Sequence, residues 1–235
     1  MFLFLKLILA HLIADFILQF EELYQLKVRS FLGQLFHVLI HVLVALAILF
    51  PYLNEPQIWL YLAGISLAHL TQDGLKYSFT KKSPQNTFLF FMADQLCHVL
   101  VIGTIFFFPV SHEIRGFPDC ALLDLFYRQN LWTIRTIFFI LLTFGGSYTL
   151  NAFAKSYIEG TPPLFMITSA EMLHSMVERT VIAWIFLSSS SLPMLLLIPC
   201  VGILRLPSKN LRDTKAFLLS LVYAILLCLL FRKVL

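Results

Sequence analysis

Four stretches of this 235-residue chain place ionisable side chains four residues apart inside apolar sequence. His11 is followed by Asp15, His37 by His41, His69 by Asp73, and Asp94 by His98. On a helix, an i,i+4 pair puts both groups on one face, a turn apart. Neutral imidazole and carboxylate are the ligand types of zinc, iron, manganese and nickel. His11, Asp15, His37, His41, His69, Asp73, Asp94 and His98 are therefore the candidate metal ligands. They can surround one divalent transition-metal ion whose histidines are oriented by carboxylates behind them, or two ions bridged by carboxylates. Zinc is the first choice, with iron or manganese as alternatives. A single intramembrane histidine is more often a hydrogen bond between helices. Helix-to-helix glue does not require four consecutive pairs at one spacing.

The elements that must position these groups are membrane helices. Hydrophobic residues make up 59% of the chain and charged residues 13%, about half the charge of an ordinary soluble domain. The predicted fold class is all-α, a polytopic transmembrane bundle of about 7–8 helices. Apolar runs place spans at residues 2–20, 31–50, 58–77, 87–110, 131–152, 164–187, 192–206 and 216–231. The seventh is short for a span. Residues 1–110 read as a four-helix bundle carrying the His/Asp site, 111–130 as a connecting loop, and 131–235 as a second membrane half. The apolar N-terminus has no small-residue cleavage site and carries His11 and Asp15, so it reads as a retained first helix rather than a signal peptide. Cys97, Cys120, Cys200 and Cys228 are scattered and imply neither a thiolate site nor a disulfide framework. There is no basic run of the kind that binds nucleic acid.

Lys27, Arg29, Lys76, Lys81, Lys82, Lys155, Arg205, Lys209, Arg212 and Lys215 cluster on odd-numbered connections, which places those loops in the cytoplasm. With eight spans both termini lie outside; if the seventh segment does not cross, the C-terminus lies inside. In either case all four pairs fall toward the cytoplasmic side. At 1.5 Å rise per residue they sort into two layers about one turn apart. Asp15, His37, Asp73 and Asp94 form the shallower layer, and His11, His41, His69 and His98 the deeper.

A polar fringe accompanies them. Gln19, Gln72 and Gln95 lie near the acidic layer, and Lys27 and Lys76 follow it. Lys76 reads either as a point charge for a substrate phosphate or carboxylate or as a headgroup anchor. Asp15, Asp73, Asp94 and Lys76 are the candidate catalytic groups. Further along, Glu171, His174, Glu178 and Arg179 crowd the sixth span. They either add to the site or form a structural ion-pair network between second-half helices, the latter being preferred.

The run HLIADFILQ, basic Lys27, the His37/His41 pair, HLTQDGLK and DQLCH together resemble an uncharacterised bacterial membrane family called domain of unknown function 3307. The likeness covers roughly residues 3–100, and the later MVERTVIAW and RDTKAFLLSL look like the C-terminal part of longer members. Phe20-Glu21 stands where the family has a proline-containing turn. The resemblance implies a multi-pass protein of the bacterial inner (plasma) membrane. It also implies a single site shared by His11, Asp15, His69, Asp73, Asp94 and His98, and it supplies no activity. A looser similarity joins the pattern to membrane-embedded metal-dependent hydrolases.

Two functions follow from the residues. One is metal-dependent hydrolysis of a phosphoester or lipid-linked substrate, whose head enters the site while its tail stays in the bilayer. The other is a divalent-cation or proton transporter or sensor, since Asp/His chains line ion pathways. A structural metal or haem bundle is a third, weaker reading without a C-x-x-C-H attachment site. The expected partners are membrane lipids and a lipid-linked small molecule, without nucleic acid, and a homo-oligomer is compatible with the sequence.

Overall fold

The computed structural model describes residues 1–154, 156–157, 169–188 and 211–234. Every regular element among them is helical. In chain order they are α1 (Phe2–Leu12), α2 (Glu21–Arg29), α3 (Phe31–Ile48), α4 (Pro56–Lys82), α5 (Thr87–Gly103), α6 (Ala121–Arg128), α7 (Asn130–Ile140), α8 (Gly146–Ala154), α9 (Ser169–Ser188) and α10 (Leu211–Phe231). π-helical turns interrupt the series at Ile13–Ile17 after α1 and at Leu141–Gly145 between α7 and α8. Local chemistry explains several boundaries. The Ser30 hydroxyl accepts the Gly33 N–H at 3.0 Å and caps α3. Pro56 opens α4 where a missing N–H costs nothing. Glu21 and Glu22 begin α2, and Lys27 and Arg29 end it, in the sense the helix dipole favours.

Among the described residues, three helical stretches are long and apolar enough to cross a membrane: Phe31–Ile48, Pro84–Phe107 and Asn130–Ala154. Phe2–Ile17 and Glu21–Arg29 make a fourth if they form one span bent by 93°. An expectation of seven to eight spans is finer than this. At 27 residues α4 has the length, but His69, Gln72, Asp73 and Lys76 lower its apolarity. Lys215–Phe231 is shorter. The predicted seventh span, residues 192–206, lies outside the described residues, as do Lys155, Arg205 and Lys209.

The first span ends earlier than the apolar run suggests. Its helix stops at Ile17, and the expected first loop is the returning helix α2. Likewise the expected loop at 111–130 holds α6.

The chain divides into two compact units, Met1–Ile137 and Phe138–Leu235. In the first, α1 packs against α3 and α5, α3 against α4, and α4 against α5, which closes a four-helix ring. Its core runs through Leu3, Leu7, Ala45, Leu49, Ile58, Leu62, Ile102 and Ile105. In the second, Phe138, Leu142, Ile182, Ala183, Ile185, Ala224 and Cys228 form a core. There Arg179 donates from Nε to the Leu142 carbonyl at 2.6 Å and from Nη2 to Thr143 O at 2.7 Å and Ser147 Oγ at 2.5 Å. Those carbonyls border a π turn, so this buried guanidinium serves the backbone. His174 is exposed, and the Glu171 side chain lies outside the described residues.

The α2–α3 corner depends on close approach. A Cβ at Gly33 would run into the Leu26 carbonyl. Gly33→Ala should therefore destabilise the protein by about 1–3 kcal/mol through overpacking. Thermal unfolding in detergent should show a fall of about 2–4 °C per kcal/mol, and an unchanged midpoint would show that the corner has room to relax.

Candidate metal centre

Each of the four ring helices contributes one imidazole to a closed circuit. The ring centroids of His11 and His41 are 5.3 Å apart, His41 and His69 4.0 Å, His69 and His98 4.3 Å, and His98 and His11 4.8 Å. The shallower layer sits directly beside this circuit. The π turn after α1 presents Asp15 to α3, where Oδ1 lies 3.0 Å from His37 Nε2 and 3.2 Å from His41 Nε2. π turns of this kind recur at functional sites.

His37 Nε2 and His41 Nε2 are themselves 3.2 Å apart. With Asp15 Oδ1 they make a triangle with edges of 3.0–3.2 Å. Hydrogen bonds alone do not satisfy it. If both nitrogens donate to the carboxylate, both carry hydrogens, and the third edge sets two N–H groups side by side. One shared cation resolves all three edges. Ligands about 2.1 Å from an ion stand about 3.0 Å apart at right angles and about 3.4 Å apart at tetrahedral angles.

Asp15, His37, His41 and His69 bring ligand atoms within 4.8 Å of one another, and so do His69, Asp73 and His98. Both groups can hold a metal ion. They include six of the eight candidate ligands; His11 and Asp94 stand outside them. His11 Nε2 is 3.5 Å from Asp15 Oδ2, and His98 Nε2 is 3.2 Å from Asp94 Oδ1. Neither approach has hydrogen-bond alignment: His11 Nε2, His69 Nε2, His98 Nε2 and Asp94 Oδ1 are buried without a hydrogen-bond partner. Orphaned buried polar atoms are rare in proteins and call for an explanation.

The second oxygens of Asp15 and Asp94, and both oxygens of Asp73, meet a lysine or an amide. Lys76 Nζ donates to Asp94 Oδ2 at 2.6 Å and Asp73 Oδ1 at 3.2 Å. Lys27 Nζ lies 3.1 Å from Asp73 Oδ2 and donates to Gln19 Oε1 at 2.6 Å. Gln95 donates to Asp15 Oδ2 at 3.3 Å. Thus Lys76, which the sequence left between substrate holder and headgroup anchor, is held by two carboxylates. Lys27, expected as a cytoplasmic loop charge in the polar fringe, is 1% exposed inside the site. No sequence signal announces this, because it depends on α2 folding back.

On the other side of the histidine circuit is a cavity of about 40 Å³, walled by Leu7, Ala45, Leu62, Ile65 and Ile102 and reached by His11, His41, His69 and His98. It is large enough to hold water. Ser66 and Gln72 also line it.

Residues 3–116 match the model of a family described as a protein of unknown function (DUF3307), the same family that the sequence resembles. No curated protein and no solved structure matches the chain.

The ion pairs of Asp73 generate a direct test. Asp73→Ala leaves Lys27 buried with only a neutral amide, and should cost about 3–5 kcal/mol. Adding Lys27→Met should recover part of that loss. Strict additivity of the two substitutions in thermal unfolding would mean that the pair is not energetically coupled.

Proposed function

With residues 3–116 placed in a family of unknown function, we propose from the site geometry that the protein is a multi-pass inner-membrane, metal-dependent hydrolase of a phosphoester or lipid-linked substrate. The observation that carries this reading is the triangle of Asp15 Oδ1, His37 Nε2 and His41 Nε2. Two histidines at i,i+4 plus one carboxylate is a catalytic zinc donor set that leaves a position open for water. Iron and manganese accept the same donors. A bound divalent ion supplies an activated water and polarises a phosphoryl oxygen.

The chain's own residues take the remaining roles. Asp94 lies outside both ligand groups, and Lys76 fixes its Oδ2, so its Oδ1 is available as general base for the attacking water. Lys27 and Lys76 hold the acidic layer in place and offset its charge. Entry from the cytoplasmic headgroup level suits a substrate whose tail remains in lipid.

A carrier for cations or protons would need polar groups continuing beyond the histidines. One to two turns further along the same faces stand Leu3 and Leu7 before His11, and Ala45 and Leu49 after His41. Ile65 and Leu62 precede His69, and Ile102 and Ile105 follow His98 in the same way. This apolar floor favours a blind chamber over a through-path.

Detergent-purified protein should hydrolyse p-nitrophenyl phosphate or bis(p-nitrophenyl) phosphate. A chelator should abolish the activity and added metal should restore it. Asp94→Asn should keep its metal and lose about 10²–10⁴-fold in rate. Bound metal with no hydrolysis, together with cation flux in proteoliposomes, would replace the hydrolase with a carrier.

A further inference from the structure

We infer that the centre holds two divalent ions in distinct positions, one built on α1 and α3 from Asp15, His37 and His41, the other on α4 and α5 from His69, Asp73 and His98, and that together they bind a phosphate monoester. The inference rests on the metal-centre reading above and goes further by assigning the number of ions, their separate ligands and the substrate class.

One ion cannot satisfy every buried ligand atom of the centre. A single ion in the Asp15–His37–His41 triangle resolves the three crowded edges there. It leaves His98 Nε2, a member of the second ligand group, buried without a hydrogen-bond partner. A single ion in the second group leaves the triangle frustrated. His69 reaches both groups but offers one ligand atom, and its Nε2 has no hydrogen bond and lies 3.5 Å from Asp73 Oδ2, so it completes the second position. The ligands of each position come from adjacent helices, and the rings of His41 and His69 are 4.0 Å apart across the divide. That closeness suits two ions acting on one substrate, as in two-metal sites.

Charge then selects the ligand. Asp15, Asp73 and Asp94 carry three negative charges, and Lys27 and Lys76 return two positive ones. Two divalent ions turn the remaining single negative charge into three positive charges. A bound water and one phosphate-monoester dianion reduce them to a single positive charge, whereas a neutral ester or amide substrate leaves all three uncompensated. In the reaction the water oxygen bonds to phosphorus as the ester P–O bond breaks. The proton that Asp94 accepts from the water passes to the departing alkoxide.

The test is metal analysis of the full-length protein by plasma mass spectrometry, with anomalous diffraction at the metal edge. Two equivalents are expected in wild type, and one each in His41→Ala and His98→Ala. Two anomalous peaks should appear, one between α1 and α3 and one between α4 and α5. One equivalent and one peak in wild type would overturn the inference while leaving a metal centre intact; no metal at all would defeat the metal-centre reading itself. Loss of both ions in each single variant would overturn the separate positions. If a variant fails to fold, the wild-type stoichiometry and peaks still decide. Inorganic phosphate should bind the two-ion protein in calorimetry and not the one-ion variants. Equal binding to all three would overturn the phosphate assignment.

Discussion

Three carboxylates and two ammonium groups share the interior of one helical ring, and each must be compensated without bulk water. Asp73, at the centre, is approached by Lys27, Lys76, His37 and His69 within 3.1–3.6 Å. Charged groups removed from water are tolerated only when paired and hydrogen-bonded, and inside a bilayer this becomes stricter. The packing of the first unit follows from that requirement. α1 must lie against α3 and α5, and α4 must stand beside both α3 and α5, or one of the charges is stranded. The apolar floor from Leu3 to Ile105 closes the other end of the ring and holds the four helices in the register that aligns their imidazoles.

Helix irregularities serve the same end. The π turn at Ile13–Ile17 presents Asp15 to two histidines of α3. The chain then bends by 93° and returns as α2, which delivers Lys27 to Asp73. Gly33 permits the tight corner that follows. In the second unit another π turn, Leu141–Gly145, is served by a buried cation, with Arg179 donating to the Leu142 and Thr143 carbonyls and Tyr223 to the Leu141 carbonyl. A widened turn loosens backbone hydrogen bonding, and the forked guanidinium of Arg179 presents several donors to it. The two units thus use the same local device for different purposes: one aims a carboxylate, the other absorbs an arginine.

Periodicity alone determined that this chain is helical, that four consecutive pairs share helix faces, and that those pairs fall at two common depths. These are local consequences of 3.6 residues per turn and of where polar residues interrupt apolar runs. Only the tertiary structure decided which faces meet. His37 and His69 were both legible as site residues, yet nothing in their spacing says that His37 joins Asp15 and His41 while His69 reaches two groups. Lys27 was legible only as part of the polar fringe, because its burial against Asp73 depends on a break at residues 18–20 and a 93° bend, which the apolar run through Phe20 conceals. The charges at Glu178 and Arg179 are legible in sequence, whereas the backbone carbonyls that accept from Arg179 are not. Pair spacing is a property of one helix and can be counted along the chain; partner choice belongs to several helices at once and is settled only when their buried charges are neutralised together.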